Sequence, residues 1–164
     1  MCIRDSVSLI NTGSETLTGG RLLRLKDLLD ETFMVTYGDG VSDVDISKLL
    51  EFHKKSGKVA TVTSVRPPAR FGGMKIVDGI VKEFKEKPQI GEGSINGGFF
   101  VFEPEIFDYL ENDKTILEKA PLENLAKNDQ LAAYEHGGFW HCMDTIRDKE
   151  SLNNLYNSGF KPWL

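Results

Sequence analysis

Apolar residues along this chain keep two rhythms. Val59, Ala60, Val62 and Val65 stand among threonines in a β-branched run, which predicts a strand over residues 59–65. The run 32–37 (TFMVTY) is mostly apolar and halts at Gly38-Asp39-Gly40, as a buried strand ending in a turn does. Further strands are predicted over 7–10, 95–102, 131–136 and 139–143. Residues 74–77 and 80–84 flank Asp78-Gly79, the pattern of a hairpin with a two-residue turn. Glu86-Lys87-Pro88 ends its second strand. The other rhythm is helical. Leu22, Leu25, Leu28 and Leu29 predict a helix over 21–29. Ile46, Leu49, Leu50 and His53 share one face of a helix that Asp45 caps and Gly57 closes. Residues 103–110, 121–127 and 147–157 read as three more helices. Residues 12–20, rich in hydroxyls and glycine, read as a loop. The alternation of strands and helices predicts an α/β fold: a mixed, mostly parallel sheet with flanking helices.

Composition narrows the class. The 164 residues are 40% hydrophobic and 27% charged, enough for one packed domain and too apolar for a fully disordered chain. No apolar run approaches the ~20 residues of a membrane helix. The net charge of −5 argues against nucleic acid as a partner, which asks for a basic surplus. It leaves room for small phosphates beside a divalent cation. Cys2 and Cys142 match no zinc spacing and predict two reduced thiols in a cytoplasmic protein. No linker or repeat divides the chain. Residues 1–6 (MCIRDS) look like a non-native extension, and 7–164 like one continuous domain.

Four segments offer chemistry. Asp39 ends the most apolar strand, where ligands of open α/β sheets gather, and a carboxylate there suits Mg²⁺. It also suits a plain Gly-Asp-Gly turn. Asp144 follows a second aromatic strand and reads either as a second metal ligand or as a helix cap. Thr18-Gly19-Gly20-Arg21 precedes a helix; its N–H groups and guanidinium could hold an anion, or simply start that helix. Glu86, Lys87, Asn96 and Gly97 offer a phosphate partner and partners for sugar hydroxyls, or a solvated strand end. Asp43-Val44-Asp45 has the D-x-D form of nucleotide-sugar glycosyltransferases, although Asp45 already reads as a cap. His53, His136 and His141 lack metal-ligand spacing, and Phe99, Phe100 and Phe102 read as core.

Taken in order, TGGR, TYGDGVSDVDI, VRPPARFG, EKPQ, INGGFFVFEPE and GFWHCMDTIRDK resemble the bacterial glucose-1-phosphate cytidylyltransferases of the sugar-nucleotide pyrophosphorylase group. The resemblance runs from about Val7 to Trp163. It implies a nucleotide-diphosphosugar-transferase-like fold and the Mg²⁺-dependent formation of CDP-glucose and pyrophosphate from CTP and glucose 1-phosphate, feeding deoxysugars of surface polysaccharides. It implies Asp39 and Asp144 as metal ligands and, with Lys87, as catalytic residues. Thr18, Gly19, Gly20, Arg21 and Gly38 fall to the nucleotide; Gly72, Glu86, Lys87, Asn96 and Gly97 to the sugar phosphate. The family's opening βαβ portion, with its glycine-rich triphosphate loop, has no counterpart in residues 1–17. The chain is therefore expected to be the C-terminal part of a longer enzyme, homo-oligomeric when whole. A sugar-phosphate-binding or subunit-associating piece without turnover, or a nucleotide-sugar glycosyltransferase of similar fold, is the alternative.

Overall fold

The computed structural model describes residues 6–67, 73–85 and 93–164. In chain order the elements are α1 (Thr18–Leu23), a 3₁₀ turn (Lys26–Leu28), β1 (Phe33–Thr36), β2 (Gly40–Ser42), α2 (Ile46–Ser56), β3 (Ala60–Val65), β4 (Gly73–Val77) and β5 (Ile80–Lys85). There follow β6 (Ile95–Phe102), a 3₁₀ helix (Pro104–Tyr109), α3 (Ala120–Lys127), β7 (Leu131–His136), β8 (Trp140–Cys142) and α4 (Ile146–Asn157). None of the helices among the described residues is long and apolar enough to cross a membrane.

Four strands form the main sheet in the order β1-β6-β3-β7. β6 runs antiparallel to both its neighbours, while β3 and β7 are parallel. Three of the four strands thus point one way, but two of the three ladders are antiparallel, so the sheet is mixed rather than mostly parallel in its pairing. β6 is the reversed strand, inserted between β1 and β3, which the order of elements would have made neighbours. β4 and β5 form a separate hairpin whose turn, Asp78-Gly79, has both φ angles positive. That is what a two-residue turn matched to strand twist demands.

Helices cover both faces of the sheet. On one face Phe100, Phe102 and Ala60 pack with Leu22 of α1, Ile106 and Phe107 of the 3₁₀ helix and Leu125 of α3. The Phe100 and Phe102 rings stack 5.4 Å apart. α2 lies on the other face with Leu49 and His53 fully buried. His53 makes its two ring contacts there, Nδ1 with Thr61 Oγ1 at 2.8 Å and Nε2 with Glu103 Oε1 at 3.0 Å. A carboxylate only accepts, so Nε2 carries a proton. The predicted caps of α2 are in place. Asp45 Oδ1 accepts from Lys48 N–H at 3.0 Å, and Gly57 closes the helix with φ +61°.

Several sequence expectations change. Residues 7–10 pair with no strand among the described residues, and Val7 and Leu9 stand almost wholly exposed, so an apolar pattern alone does not make a strand without a ladder partner. The helix expected over 21–29 starts earlier, at Thr18, and breaks after Leu23 into a 3₁₀ turn. The helix expected over 103–110 is 3₁₀ throughout, entered through Pro104. β2 went unpredicted.

Candidate active site

The turn after β1 is tight because β2 starts at Gly40. β2 and β8 form a two-stranded ribbon in which Gly40 faces Cys142 and Ser42 faces Trp140. One step further, Met143 N–H donates to the Asp39 carbonyl at 2.9 Å. Asp39 and Asp144, 105 positions apart in sequence by subtraction of their numbers, therefore leave the same end of one ribbon. Both line an open cleft of about 400 Å³ that Tyr37, Asn96, Gly97, Trp140 and Cys142 also line. Capping does not account for Asp144. Thr145 is the cap of α4: its Oγ1 accepts from Asp148 N–H, and the Asp148 carboxylate accepts from Thr145 N–H at 3.0 Å.

Hard carboxylate oxygens at one wall of an open cleft fit a Mg²⁺ ion, which binds through one or two carboxylates and keeps positions for phosphate. Cys142, Asp144 and Asp148 also gather, with ligand atoms within 4.8 Å of one another. The thiol makes that a mixed-donor set, and a thiol is not a Mg²⁺ ligand. Its oxygen donors are the Asp144 and Asp148 carboxylates, and Asp39 lines the same cleft.

The floor of the cleft is shaped by a bulge. Val62 pairs with Phe100 and Ser64 with Asn96, so β6 spends four positions where β3 spends two. The bulge turns two carbonyls outward. Gly97 O accepts from Trp140 Nε1 at 2.8 Å, and Gly98 O from Tyr37 N–H at 3.1 Å. Both glycines are obligatory. A Cβ on Gly97 would lie 2.8 Å from Val65, and Gly98, at φ +78°, would meet the Tyr37 ring at 2.5 Å. Gly38 is different, since a Cβ there would meet nothing within 4 Å.

A directed chain of hydrogen bonds runs behind this floor. Tyr37 Oη donates to Glu118 Oε1, and Thr18 Oγ1 donates to Glu118 Oε2 at 2.8 Å. Asn96 Nδ2 donates to Tyr37 Oη at 3.2 Å, and Asn96 Oδ1 accepts from Gly98 N–H at 2.8 Å. Burial, then the bond to Glu118, holds the Tyr37 hydroxyl well above the ordinary phenol range, so it stays protonated.

The remaining predicted residues fall apart from this cleft. Gly19 and Gly20 both donate N–H to the Thr115 carbonyl, at 3.0 and 3.2 Å, which spends them on packing rather than on an anion. A Cβ on Gly20 would strike the Asp113 carbonyl oxygen at 2.5 Å. Arg21 donates to Thr12 Oγ1 at 2.7 Å. Of this segment only Thr18 reaches the cleft, through Glu118. Asp43 pairs with His136 Nε2 at 2.9 Å and Asp45 caps α2, so the D-x-D carboxylates are engaged elsewhere. Gly72, Glu86 and Lys87 lie outside the described residues. Trp140 lines a second, polar cleft of about 370 Å³ with Arg66, Ser94 and His136. Sequence reasoning missed Tyr37, Glu118 and Trp140; only the aromatic residues flanking Gly38 and His141 hinted at two of them.

Residues 18–145 match the sequence profile described as Nucleotidyl transferase. The chain is 48% identical over 160 residues to the glucose-1-phosphate cytidylyltransferase of Salmonella typhi, covering 96% of this chain and 62% of that protein. It is 35% identical over 151 residues to the mannose-1-phosphate guanylyltransferase catalytic subunit beta of Dictyostelium discoideum, covering 88% and 42%. The chain thus spans less than two thirds of the length of either relative. Among solved structures, HddC from Yersinia pseudotuberculosis superposes with a TM-score of 0.61 at 21% identity, over 86% of this chain and 63% of that one. That likeness concerns the fold.

Proposed function

The chain belongs to the Nucleotidyl transferase family, and from that premise we propose that it serves cytidylyl transfer from CTP to α-D-glucose 1-phosphate, giving CDP-glucose and pyrophosphate. The observation that carries the reading is the ribbon end. It delivers Asp39 and Asp144 to one cleft whose floor is Asn96 and Gly97. The choice of CTP and glucose rests on the likeness to the Salmonella enzyme.

In this reading Asp39 and Asp144 hold Mg²⁺, which when bound neutralises phosphate charge as the reaction builds it. The open space beside Gly38 admits the nucleotide to the backbone. Asn96 and Gly97 present an amide and a carbonyl to the sugar. A sugar-phosphate oxygen forms a bond to the α-phosphorus of CTP while the bond to the pyrophosphate oxygen breaks, so no protein nucleophile is required. The cleft contributes orientation and charge stabilisation. The resemblance adds Lys87 at the sugar phosphate and Glu86 and Gly72 at the sugar; of Thr18 to Arg21 only Thr18 is tied to the site, through Glu118. We also propose that the whole enzyme works in the cytoplasm, as a homo-oligomer supplying deoxysugar synthesis for surface polysaccharides.

The test is pyrophosphate release by the 164-residue protein with α-D-glucose 1-phosphate and Mg²⁺, across CTP, UTP, dTTP and GTP. CTP should be preferred by tenfold or more, about 1.4 kcal/mol, and chelation should stop the reaction. Preference for UTP or dTTP sinks the cytidylyl reading. Binding of sugar phosphate without turnover by any nucleotide favours a binding piece of a larger enzyme.

A further inference from the structure

Glu118 lies in the loop before α3, one step from the buried Leu117 and well away from the two cleft aspartates in sequence. No lysine or arginine forms an ion pair with it among the described residues. Its two oxygens are instead divided between neutral hydroxyls, one from β1's end and one from the first residue of α1. An ionised carboxylate has no proton to give, so every bond it makes points inward to it. That fixes the direction of the whole chain. Tyr37 must turn its proton to Glu118 and its lone pairs outward. Asn96 must therefore offer Nδ2 to Tyr37, and the Gly98 N–H on Asn96 Oδ1 agrees with that orientation. Tyr37 and Asn96 line the cleft. With one Nδ2 proton spent on Tyr37, the other is left on an amide that can no longer flip.

We propose that Glu118 is a positioning residue, whose carboxylate orients the Tyr37–Asn96 pair so that the Asn96 amide meets a sugar hydroxyl, and ties that pair to the Thr18 end of the site. The proposal rests on the sugar-phosphate reading of the cleft. A glutamine at 118 keeps the shape but offers one acceptor and one donor. Either Tyr37 or Thr18 then loses its acceptor, and the direction of the chain is no longer enforced.

The experiment is calorimetric titration of the 164-residue protein, with Mg²⁺, using α-D-glucose 1-phosphate, its monodeoxy analogues and inorganic phosphate. Wild type should bind glucose 1-phosphate about tenfold more tightly than the one analogue that lacks the hydroxyl facing Asn96. Glu118→Gln should lose that tenfold discrimination while holding inorganic phosphate as wild type does and melting at the same temperature. Tyr37→Phe should do the same, and the double variant should be no worse than either single one. Equal discrimination in wild type and Glu118→Gln overturns the positioning role, as does a loss of phosphate binding in parallel with sugar binding. If Glu118→Gln does not fold, Tyr37→Phe alone decides by the same discrimination. No binding of glucose 1-phosphate by wild type is a separate result; it removes the sugar-phosphate reading and this role with it.

Discussion

At the scale of single residues, the site turns on which groups are spent locally and which are not. Asp39 caps no helix and sits where β2 begins, so its charge is the one to test. Asp39→Asn should lower turnover at least about a hundredfold, near 2.7 kcal/mol of transition-state stabilisation, with an unchanged melting curve. Steady-state rates beside calorimetric unfolding check this. A variant as fast as wild type would leave Asp39 a turn residue. Thr63 poses the opposite case. It is fully buried, and its hydroxyl finds no hydrogen-bond partner among the described residues. Thr63→Val keeps the shape and removes the orphan, so it should stabilise by about 1 kcal/mol and raise the melting temperature by about 2–4 °C. The sequence marked Asp39 and Asp144 as carboxylates at strand ends, the first between two glycines, and Asn96-Gly97 as a polar, glycine-bearing strand entry, which are local signals. It was silent on Glu118, whose role is set by two hydroxyls some eighty and a hundred positions upstream. Nothing beside a loop glutamate announces such partners.

At the scale of elements, legibility followed how much each segment decides by itself. β6 and β7 match the expected bounds to the residue: β6 carries the aromatic run Phe99-Phe100-Val101-Phe102, and β7 is bounded by Asn128-Asp129 before it and Gly137-Gly138 after it. β2 escaped because three residues show no period, and only pairing with β8, far along the chain, makes them a strand. The helix expected over 103–110 is a 3₁₀ helix over Pro104–Tyr109, and six residues do not separate the two helical periods in sequence. The reversal of β6 within the sheet is likewise a property of packing, not of its own residues. α4 shows the local kind. Its start is fixed by the reciprocal bonds of Thr145 and Asp148, one at 2.8 Å between Thr145 Oγ1 and the Asp148 carboxylate. Thr145→Ala should cost about 1 kcal/mol and speed amide exchange in the first turn of α4, measured by hydrogen–deuterium exchange. Exchange matching wild type would show that the tertiary contacts of α4 alone hold that turn.

At the scale of the whole molecule, the sheet is capped on both faces by helices, while β1 has β6 as its one partner among the described residues and shows Met34 to solvent. An open edge with an exposed apolar side chain is a site for further strand pairing, within a longer chain or between copies. The cleft lies beyond the same end of the sheet, where β1 runs into the ribbon. Its occupancy should therefore be felt by the global fold. Glucose 1-phosphate at a hundred times its dissociation constant should add about 2.7 kcal/mol and raise the melting temperature by about 5–10 °C. An unmoved transition would show that the sugar phosphate does not bind the folded chain. The ribbon has one more consequence. The chain holds two tryptophans. Trp163 rests on the Phe139 ring, 5.5 Å away, whereas Trp140 borders both clefts with its indole N–H fastened to Gly97. Trp163→Phe thus leaves a single tryptophan, at the wall of the site, and its selectively excited emission reports filling of the cleft directly, with no dye and no coupled assay.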